Sequence, residues 1–116
     1  MDDHSYTALT QGISKRTAVL RADQSEVMKG FSAMANAALA AGALDAKTKE
    51  LIALAVSVSG RCDPCIGFHT RTLVKLGMTK AELEEMLSVV IYMGGGPALM
   101  YAAKTLAAFE EFSASA

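Results

Sequence analysis

Both cysteines of the chain lie in one short stretch, Gly60-Arg61-Cys62-Asp63-Pro64-Cys65-Ile66-Gly67-Phe68-His69. Proline is favoured in the first turn of an α-helix, and aspartate is a preferred N-cap residue. The stretch therefore predicts a helix that begins at the CxxC pair, with Asp63 as its N-cap and Pro64 as its first residue. His69 follows Cys65 by about one helical turn, so we expect the imidazole on the same face as that thiol.

A CxxC pair at the start of a helix is a candidate redox site, because two thiols this close can form a disulfide and reopen with little backbone movement. The unpaired amides of the first turn and the positive end of the helix dipole stabilise a thiolate, and they lower cysteine pKa values from ~8.5 to roughly 3.5–7.5. We expect Cys65 to carry this thiolate and Cys62, just before the cap, to be the more exposed partner. His69 can accept the proton of Cys65 or pair with its thiolate.

A single acid, Glu50, borders the uncharged segment 51–59 that precedes the cysteine stretch. If its carboxylate is buried against the CxxC helix, it would accept a proton from the thiols or orient the histidine. The alternative is an ordinary solvent-exposed acid in the first turn of its helix. Both interpretations stay open, because the contact would be a tertiary one.

Three other interpretations of the cysteine stretch also stay open on the residues alone. The thiols could pack as small apolar side chains, since free cysteine is often buried. Cys62, Cys65 and His69 could bind a metal, but a structural zinc site takes four ligands and His4 would make a poor fourth. His69 could be an ordinary core or surface histidine. The combination of a thiol pair and an imidazole favours redox chemistry that requires no metal or cofactor.

Helical spacing of apolar residues dominates the rest of the chain, and no segment shows the alternation of a strand. Residues that cap helices precede these segments, and glycines follow them. The predicted helices begin at Asp23 (with Glu26), Asp45, Asp63, Thr79 (with Glu82) and Pro97, and the first three end near Gly42, Gly60 and Gly77. The sequence therefore predicts an all-α fold, a compact bundle of five to six helices with the CxxC pair at a helix N-terminus.

The length of 116 residues fits a single domain. Residues 1–22 are expected to be a weakly helical N-terminal extension, and residues 23–116 are expected to be the helical domain. The glycine run 94–96 followed by Pro97 indicates a turn between two helices. It lacks the preceding strand and the following lysine of a phosphate-binding loop.

The charge balance argues against some classes of partner. The net charge is −1, 20% of the residues are charged and no basic block occurs, which disfavours nucleic acid or an anionic membrane as the main partner. The uncharged run 86–103 is broken by the glycines and Pro97, so it predicts two helices rather than a membrane span. No apolar signal segment follows the acidic start. We expect a cytoplasmic protein, in which a CxxC pair is usually catalytic or metal-binding.

The apolar content of the chain exceeds what one small core can hold. Hydrophobic residues make up 52% of the chain, and the segments 27–43, 51–58 and 86–109 are apolar around more than one helix face. We expect other copies of the chain to cover the surplus in a homo-oligomer. The methionines at 28, 34, 78, 86, 93 and 100 are expected to fill the core and this interface.

The spacing of the candidate residues resembles a known family. Glu50, eleven intervening residues, Cys62-x-x-Cys65, three residues and His69 form a pattern similar to the alkylhydroperoxidase D-like branch of the carboxymuconolactone decarboxylase superfamily. The resemblance covers roughly residues 25–112. It is specific because it rests on the whole spacing and not on the CxxC alone.

The resemblance implies an all-helical oligomer, a trimer or a hexamer of three dimers, whose CxxC pair reduces hydroperoxides. Cys65 would be the thiolate that attacks the peroxide, Cys62 the resolving thiol, and Glu50 with His69 the proton relay. It also implies a hydroperoxide substrate and an external dithiol protein as reductant, with no cofactor or metal.

One departure from the family pattern keeps two alternatives open. Pro64 stands where the best-studied peroxidase members have a histidine, so one proton-handling group is missing. The first alternative is therefore a dithiol–disulfide exchange or redox-sensing module with little peroxidase activity. The second is lactone chemistry of the decarboxylase kind, which should survive loss of both thiols. It is disfavoured because the decarboxylase branch typically lacks the CxxC pair.

Overall fold

Six α-helices follow one another in the computed structural model of the protein, which describes residues 5–116. No β-strand occurs within that range, and the all-α prediction is confirmed. The helices are α1 (Tyr6–Asp23), α2 (Ser25–Leu39), α3 (Ala46–Ser59), α4 (Asp63–Lys75), α5 (Lys80–Gly94) and α6 (Gly96–Ala114).

Local capping signals set the starts of α3 and α5, as predicted. The Asp45 carboxylate accepts a hydrogen bond from the Thr48 N–H at 2.7 Å. Thr79 and Glu82 form a reciprocal capping box, in which each side chain accepts the other residue's backbone N–H at 3.1 and 2.8 Å. Gly95 has φ 73° and ψ −151°, a conformation open only to glycine, and it forms the predicted turn between α5 and α6.

The predicted start of α2 is wrong. Asp23 is the last residue of α1, so it cannot take the extended backbone of an N-cap, and Gln24 occupies that position without a side-chain cap bond. The helix also ends at Leu39, three residues before Gly42. The local pattern around Asp23 and Glu26 was ambiguous because α1 and α2 are separated by a single residue.

Helix α1 is longer and more regular than the weak helical signal of residues 1–22 indicated. Its N-terminus is capped by Glu111 of α6, whose carboxylate accepts hydrogen bonds from the backbone N–H groups of Tyr6 and Thr7 at 2.9 and 2.8 Å. The Ser5 hydroxyl donates to the same carboxylate at 2.9 Å. The local N-cap is Ser5, whose hydroxyl also accepts a hydrogen bond from the Ala8 N–H at 3.2 Å. The contacts of Glu111, which lies more than a hundred positions away, could not be predicted from a local pattern.

Helix α4, which carries the cysteines, is packed against three others: α3, α6 and α1. The approach of α1 is close, since a Cβ atom placed on Gly67 would lie 2.6 Å from Thr10 Cγ2 and 3.1 Å from the Tyr6 ring. The core around α4 consists of Tyr6, Leu54, Val58, Ile66, Leu73, Met78, Leu83, Leu87, Val90, Ala98, Ala102, Ala108 and Phe112.

Helix α2 contributes no buried side chain. Its apolar residues Val27, Phe31 and Met34 are 67%, 59% and 62% exposed. A second apolar surface lies on α5 and α6, with Val89, Tyr92, Met93, Leu99 and Met100 exposed. Of the methionines expected in the core, only Met78 is fully buried, and Met34, Met93 and Met100 lie on these surfaces. No helix within residues 5–116 is both long and apolar enough to cross a membrane.

Candidate functional site

The CxxC pair lies at the N-terminus of α4, one residue displaced from the predicted register. Cys62 is the N-cap, with extended backbone (φ −107°, ψ 96°), and Asp63 is the first helical residue. The Cys62 sulfur accepts a hydrogen bond from the Cys65 N–H at 3.2 Å. The prediction of Asp63 as the cap was wrong because a sulfur takes that position, and the Asp63 carboxylate is engaged elsewhere.

The turn before the cysteines depends on an unusual backbone conformation at Arg61. Gly60 has right-handed backbone, and Arg61 takes the left-handed conformation (φ 55°) that ends α3. The Cys62 N–H then donates to the Ser57 carbonyl at 3.1 Å. This bond connects the end of α3 directly to the start of α4 and so fixes where the first cysteine lies.

Cys62 and Cys65 are joined by a disulfide, with their Cα atoms 5.2 Å apart. Both residues are partly buried, and the greater exposure expected of Cys62 stays a prediction. The helix-terminal amide distinguishes the two sulfurs. In the disulfide form it donates its hydrogen bond to Cys62 Sγ.

Glu50 and His69 lie together. The carboxylate of Glu50 is buried on α3, with 8% of the residue exposed, and its Oε1 accepts a hydrogen bond from His69 Nδ1 on α4 at 2.7 Å. If the carboxylate is ionised it can only accept, and the proton of this hydrogen bond lies on Nδ1. A neutral imidazole in that tautomer leaves the Nε2 lone pair free. The pair therefore presents one nitrogen that can take up or release a proton.

The two pairs are not directly connected. Within residues 5–116, neither sulfur forms a hydrogen bond with His69 or Glu50. Cys62 is the N-cap of α4, and Cys65 and His69 lie in its first two turns, with His69 about one turn beyond Cys65.

Asp63, between the cysteines, has two partners that sequence reasoning missed. The Tyr6 hydroxyl of α1 donates to Asp63 Oδ1 at 3.1 Å, and the Lys104 ammonium of α6 donates to Oδ2 at 2.8 Å. Burial and the Asp63 carboxylate raise the pKa of Tyr6 well above its usual range, so the phenol remains a donor. Lys104 also lies over the Tyr101 ring, 4.8 Å from its centre.

Within residues 5–116, no group of three or more His, Cys, Asp and Glu side chains lies close enough together to hold a metal ion. His4, the fourth ligand considered from the sequence, lies outside the described residues.

Comparison with known proteins gives consistent matches over most of the chain. The sequence profile of the carboxymuconolactone decarboxylase family matches residues 25–108. An uncharacterized protein of Cupriavidus necator is 41% identical over 108 residues, which cover 93% of this chain and 95% of that protein. The crystal structure of a carboxymuconolactone decarboxylase family protein from Legionella pneumophila has 55% identity and a TM-score of 0.92, over 93% of this chain and 96% of that one.

The fold and the site define a small all-α protein with a dithiol pair at a helix N-terminus. The chain belongs to the carboxymuconolactone decarboxylase family. The resemblance to its alkylhydroperoxidase D-like branch is also confirmed. An alkyl hydroperoxide reductase AhpD of Coxiella burnetii is 35% identical over 52 residues, which span 45% of this chain and 29% of that protein. A family member from Thermotoga maritima with a possible role in the antioxidative response has 27% identity and a TM-score of 0.79, over 88% of this chain and 87% of that one.

Proposed function

We propose that the protein is a thiol-dependent peroxidase that reduces hydroperoxides through a Cys62–Cys65 dithiol/disulfide cycle. The observation that carries this proposal is the disulfide-forming pair at the N-terminus of α4, one turn from the hydrogen-bonded Glu50–His69 pair. The names of the Coxiella burnetii and Thermotoga maritima relatives support chemistry of this kind.

The proposed cycle begins with attack of the Cys65 thiolate on the terminal oxygen of the hydroperoxide. The S–O bond forms as the O–O bond breaks, the sulfur is oxidised to a sulfenic acid, and the alkoxide takes a proton and leaves as an alcohol. Cys62 then attacks the oxidised sulfur, the disulfide forms, and the displaced hydroxide leaves as water. An external dithiol protein returns two electrons and two protons by exchange.

Glu50 and His69 would handle the protons of this cycle. The carboxylate holds Nδ1–H, so Nε2 can accept the proton of a thiol and return it to the leaving alkoxide. Because no hydrogen bond joins His69 to a sulfur, the substrate itself or a water must complete the path. The relay would thus assemble when the peroxide is bound.

The test is mass spectrometry and turnover on the reduced protein. One equivalent of an organic hydroperoxide should remove two hydrogens from the wild type, and repeated turnover should require a dithiol reductant. In Cys62→Ser the sulfenic acid should persist on Cys65 and react with dimedone. Unchanged turnover in Cys65→Ser would contradict the assignment of the attacking thiol. Conversion of a small lactone that survived loss of both thiols would point instead to chemistry of the decarboxylase kind.

A second candidate function, dithiol–disulfide exchange without useful peroxidase activity, is favoured by two features of the cysteine stretch. The helix-terminal N–H points at Cys62 Sγ, and Pro64 replaces the histidine that peroxidase relatives place before the second cysteine. In this case Cys62 would attack a partner disulfide and Cys65 would release the mixed disulfide. The protein would then reduce a model disulfide such as oxidised glutathione, and the peroxide would be consumed only at the rate of an unactivated thiol.

We further propose that the protein is a homo-oligomer, most simply a hexamer of three dimers with each CxxC pair near a subunit boundary. The exposed apolar residues of α2 and of α5–α6 support this assembly, because large apolar side chains grouped on helix faces are typical of interfaces between subunits.

A further inference from the structure

The carboxylate of Asp63 lies between the two cysteines in sequence and is held from two other helices. Tyr6 of α1 donates to one oxygen and Lys104 of α6 to the other, at 3.1 and 2.8 Å. The two donors come from opposite ends of the chain, so α4 is anchored at its first residue by α1 and α6 together. Asp63 and Lys104 are each partly shielded, with 33% and 44% of their side chains exposed.

A negative charge beside a thiol normally opposes its ionisation, because like charges disfavour each other. Asp63 is next to Cys62 and two residues from Cys65, so an unpaired carboxylate here would raise the pKa of the thiols. The Lys104 ammonium lies 2.8 Å from this carboxylate. Its positive charge therefore offsets most of the effect of the carboxylate on the thiol pKa. The other charged groups around the cysteines, Arg61 and the Glu50–His69 pair, do not contact Asp63.

We propose that Lys104 is a positioning residue for the CxxC pair: through its ion pair with Asp63, it neutralises the acid inside the motif and keeps the thiols ionisable. Tyr6 supports this arrangement by fixing the second carboxylate oxygen. The proposal rests on the dithiol cycle proposed above, but it concerns thiol ionisation and can be tested without any peroxide.

The test is a double-mutant cycle with the lowest thiol pKa as its readout, measured on the reduced protein from the pH dependence of alkylation by iodoacetamide. Lys104→Gln leaves Asp63 unpaired and should raise this pKa by about half a unit to one unit. Asp63→Asn leaves an unpaired ammonium and should lower it. The double variant removes both charges and should return close to the wild-type value.

Lys75→Gln is the matched control, because it removes the same charge from an exposed residue at the far end of α4. It should leave the thiol pKa unchanged, since twelve residues of helix separate it from Asp63, about 18 Å along the axis. Thermal unfolding of each variant establishes that the fold is retained.

The opposite signs of the two single changes distinguish this role from a purely structural one. If Lys104 and Asp63 only held the start of α4 in place, both single variants would shift the pKa in the same direction and the double variant would not recover. That result, or a pKa in Lys104→Gln equal to that of Lys75→Gln, would overturn the proposal. If the protein lacks peroxidase activity but the variants shift the thiol pKa in the predicted directions, the proposed function is contradicted and this inference stands.

Discussion

His69 Nδ1 and Glu50 Oε1 are 2.7 Å apart and join α3 to α4 beside the redox pair. The carboxylate is buried, so few water molecules compete for its hydrogen bond with the imidazole. With an ionised carboxylate, this contact requires the proton on Nδ1, and Nε2 is then the free nitrogen of a neutral imidazole. The contact gives the relay hypothesis a geometric basis that the spacing of the sequence alone could not supply.

We predict that Glu50→Gln slows peroxide consumption by the ~10²–10⁴-fold attributed to general acid–base groups. The amide retains the size of the carboxylate and can still accept from Nδ1–H, so the fold should persist while proton transfer suffers. Steady-state turnover with an organic hydroperoxide measures the effect. Glu110→Gln, at an exposed position on α6, is the control, and wild-type rates in both variants would reduce Glu50 to a structural acid.

We predict that low pH destabilises the protein because it protonates the carboxylate of Glu111. Burial of this carboxylate opposes its ionisation, but hydrogen bonds from Thr7, Tyr6 and Ser5 outweigh that effect and lower its pKa from 4.5 to about 2. A lowered folded-state pKa means that the unfolded chain binds the proton first as the pH falls. The stabilising contribution is therefore complete above about pH 4.5 and is lost between that value and about pH 2.

Urea unfolding of wild type and Glu111→Gln at several pH values tests this prediction. The variant should be less stable at pH 7, and its deficit should shrink as the pH falls below 4.5. Asp45 and Glu82 also have pKa values lowered by hydrogen bonds from Thr48 and Lys47 respectively, but they are present in both proteins and cancel in the difference. A deficit that is independent of pH would show that the cap does not depend on ionisation.

Gly67→Ala should destabilise the protein although alanine favours helices. The added methyl would lie 2.6 Å from Thr10 Cγ2 and 3.1 Å from the Tyr6 ring, and overpacking of this kind costs about 1–3 kcal/mol. The gain in helix propensity returns only about 1 kcal/mol. Gly12→Ala on α1, whose nearest neighbour is the flexible end of Arg16 at 3.9 Å, should be neutral or stabilising in the same denaturation measurement.

Light scattering should show a species several times the 12.2 kDa of one chain. Phe31→Asp, which places a charge on the exposed apolar face of α2, should shift the distribution toward smaller species. Gln11→Asp at an exposed polar position of α1 should leave it unchanged. A monomeric wild type at micromolar concentration would contradict the proposed assembly.

The sequence could predict the helix boundaries that depend on contacts between residues close together in the chain. Asp45, Thr79 and Gly95 act within a few residues of themselves, and the helix boundaries they set are close to those predicted. The start of α4 was displaced by one residue because a cysteine sulfur can accept the N–H that an aspartate was expected to receive. Glu50 was placed near His69 by resemblance to a family pattern, since nothing local connects α3 to α4 at that point.

The sequence could not predict the polar contacts between residues far apart in the chain. Glu111 caps α1, and Tyr6 and Lys104 hold Asp63 across separations of 57 and 41 residues. Nothing in the sequence of its own helix marks any of these side chains as a long-range partner. Their partners become apparent only when α1, α4 and α6 are packed together, which also explains why the regular helix α1 gave so weak a signal.

The sulfur of Cys62 serves as a helix cap as well as a redox atom, and this has a practical consequence for mutagenesis. Serine is among the best N-cap residues, so Cys62→Ser removes the thiol and keeps an acceptor for the Cys65 N–H. Cys62→Ala removes both and should cost about 1 kcal/mol of helix stability. Experiments that trap a mixed disulfide between Cys65 and a partner should therefore use the serine variant. A loss of activity in the alanine variant would combine the missing thiol with fraying of α4.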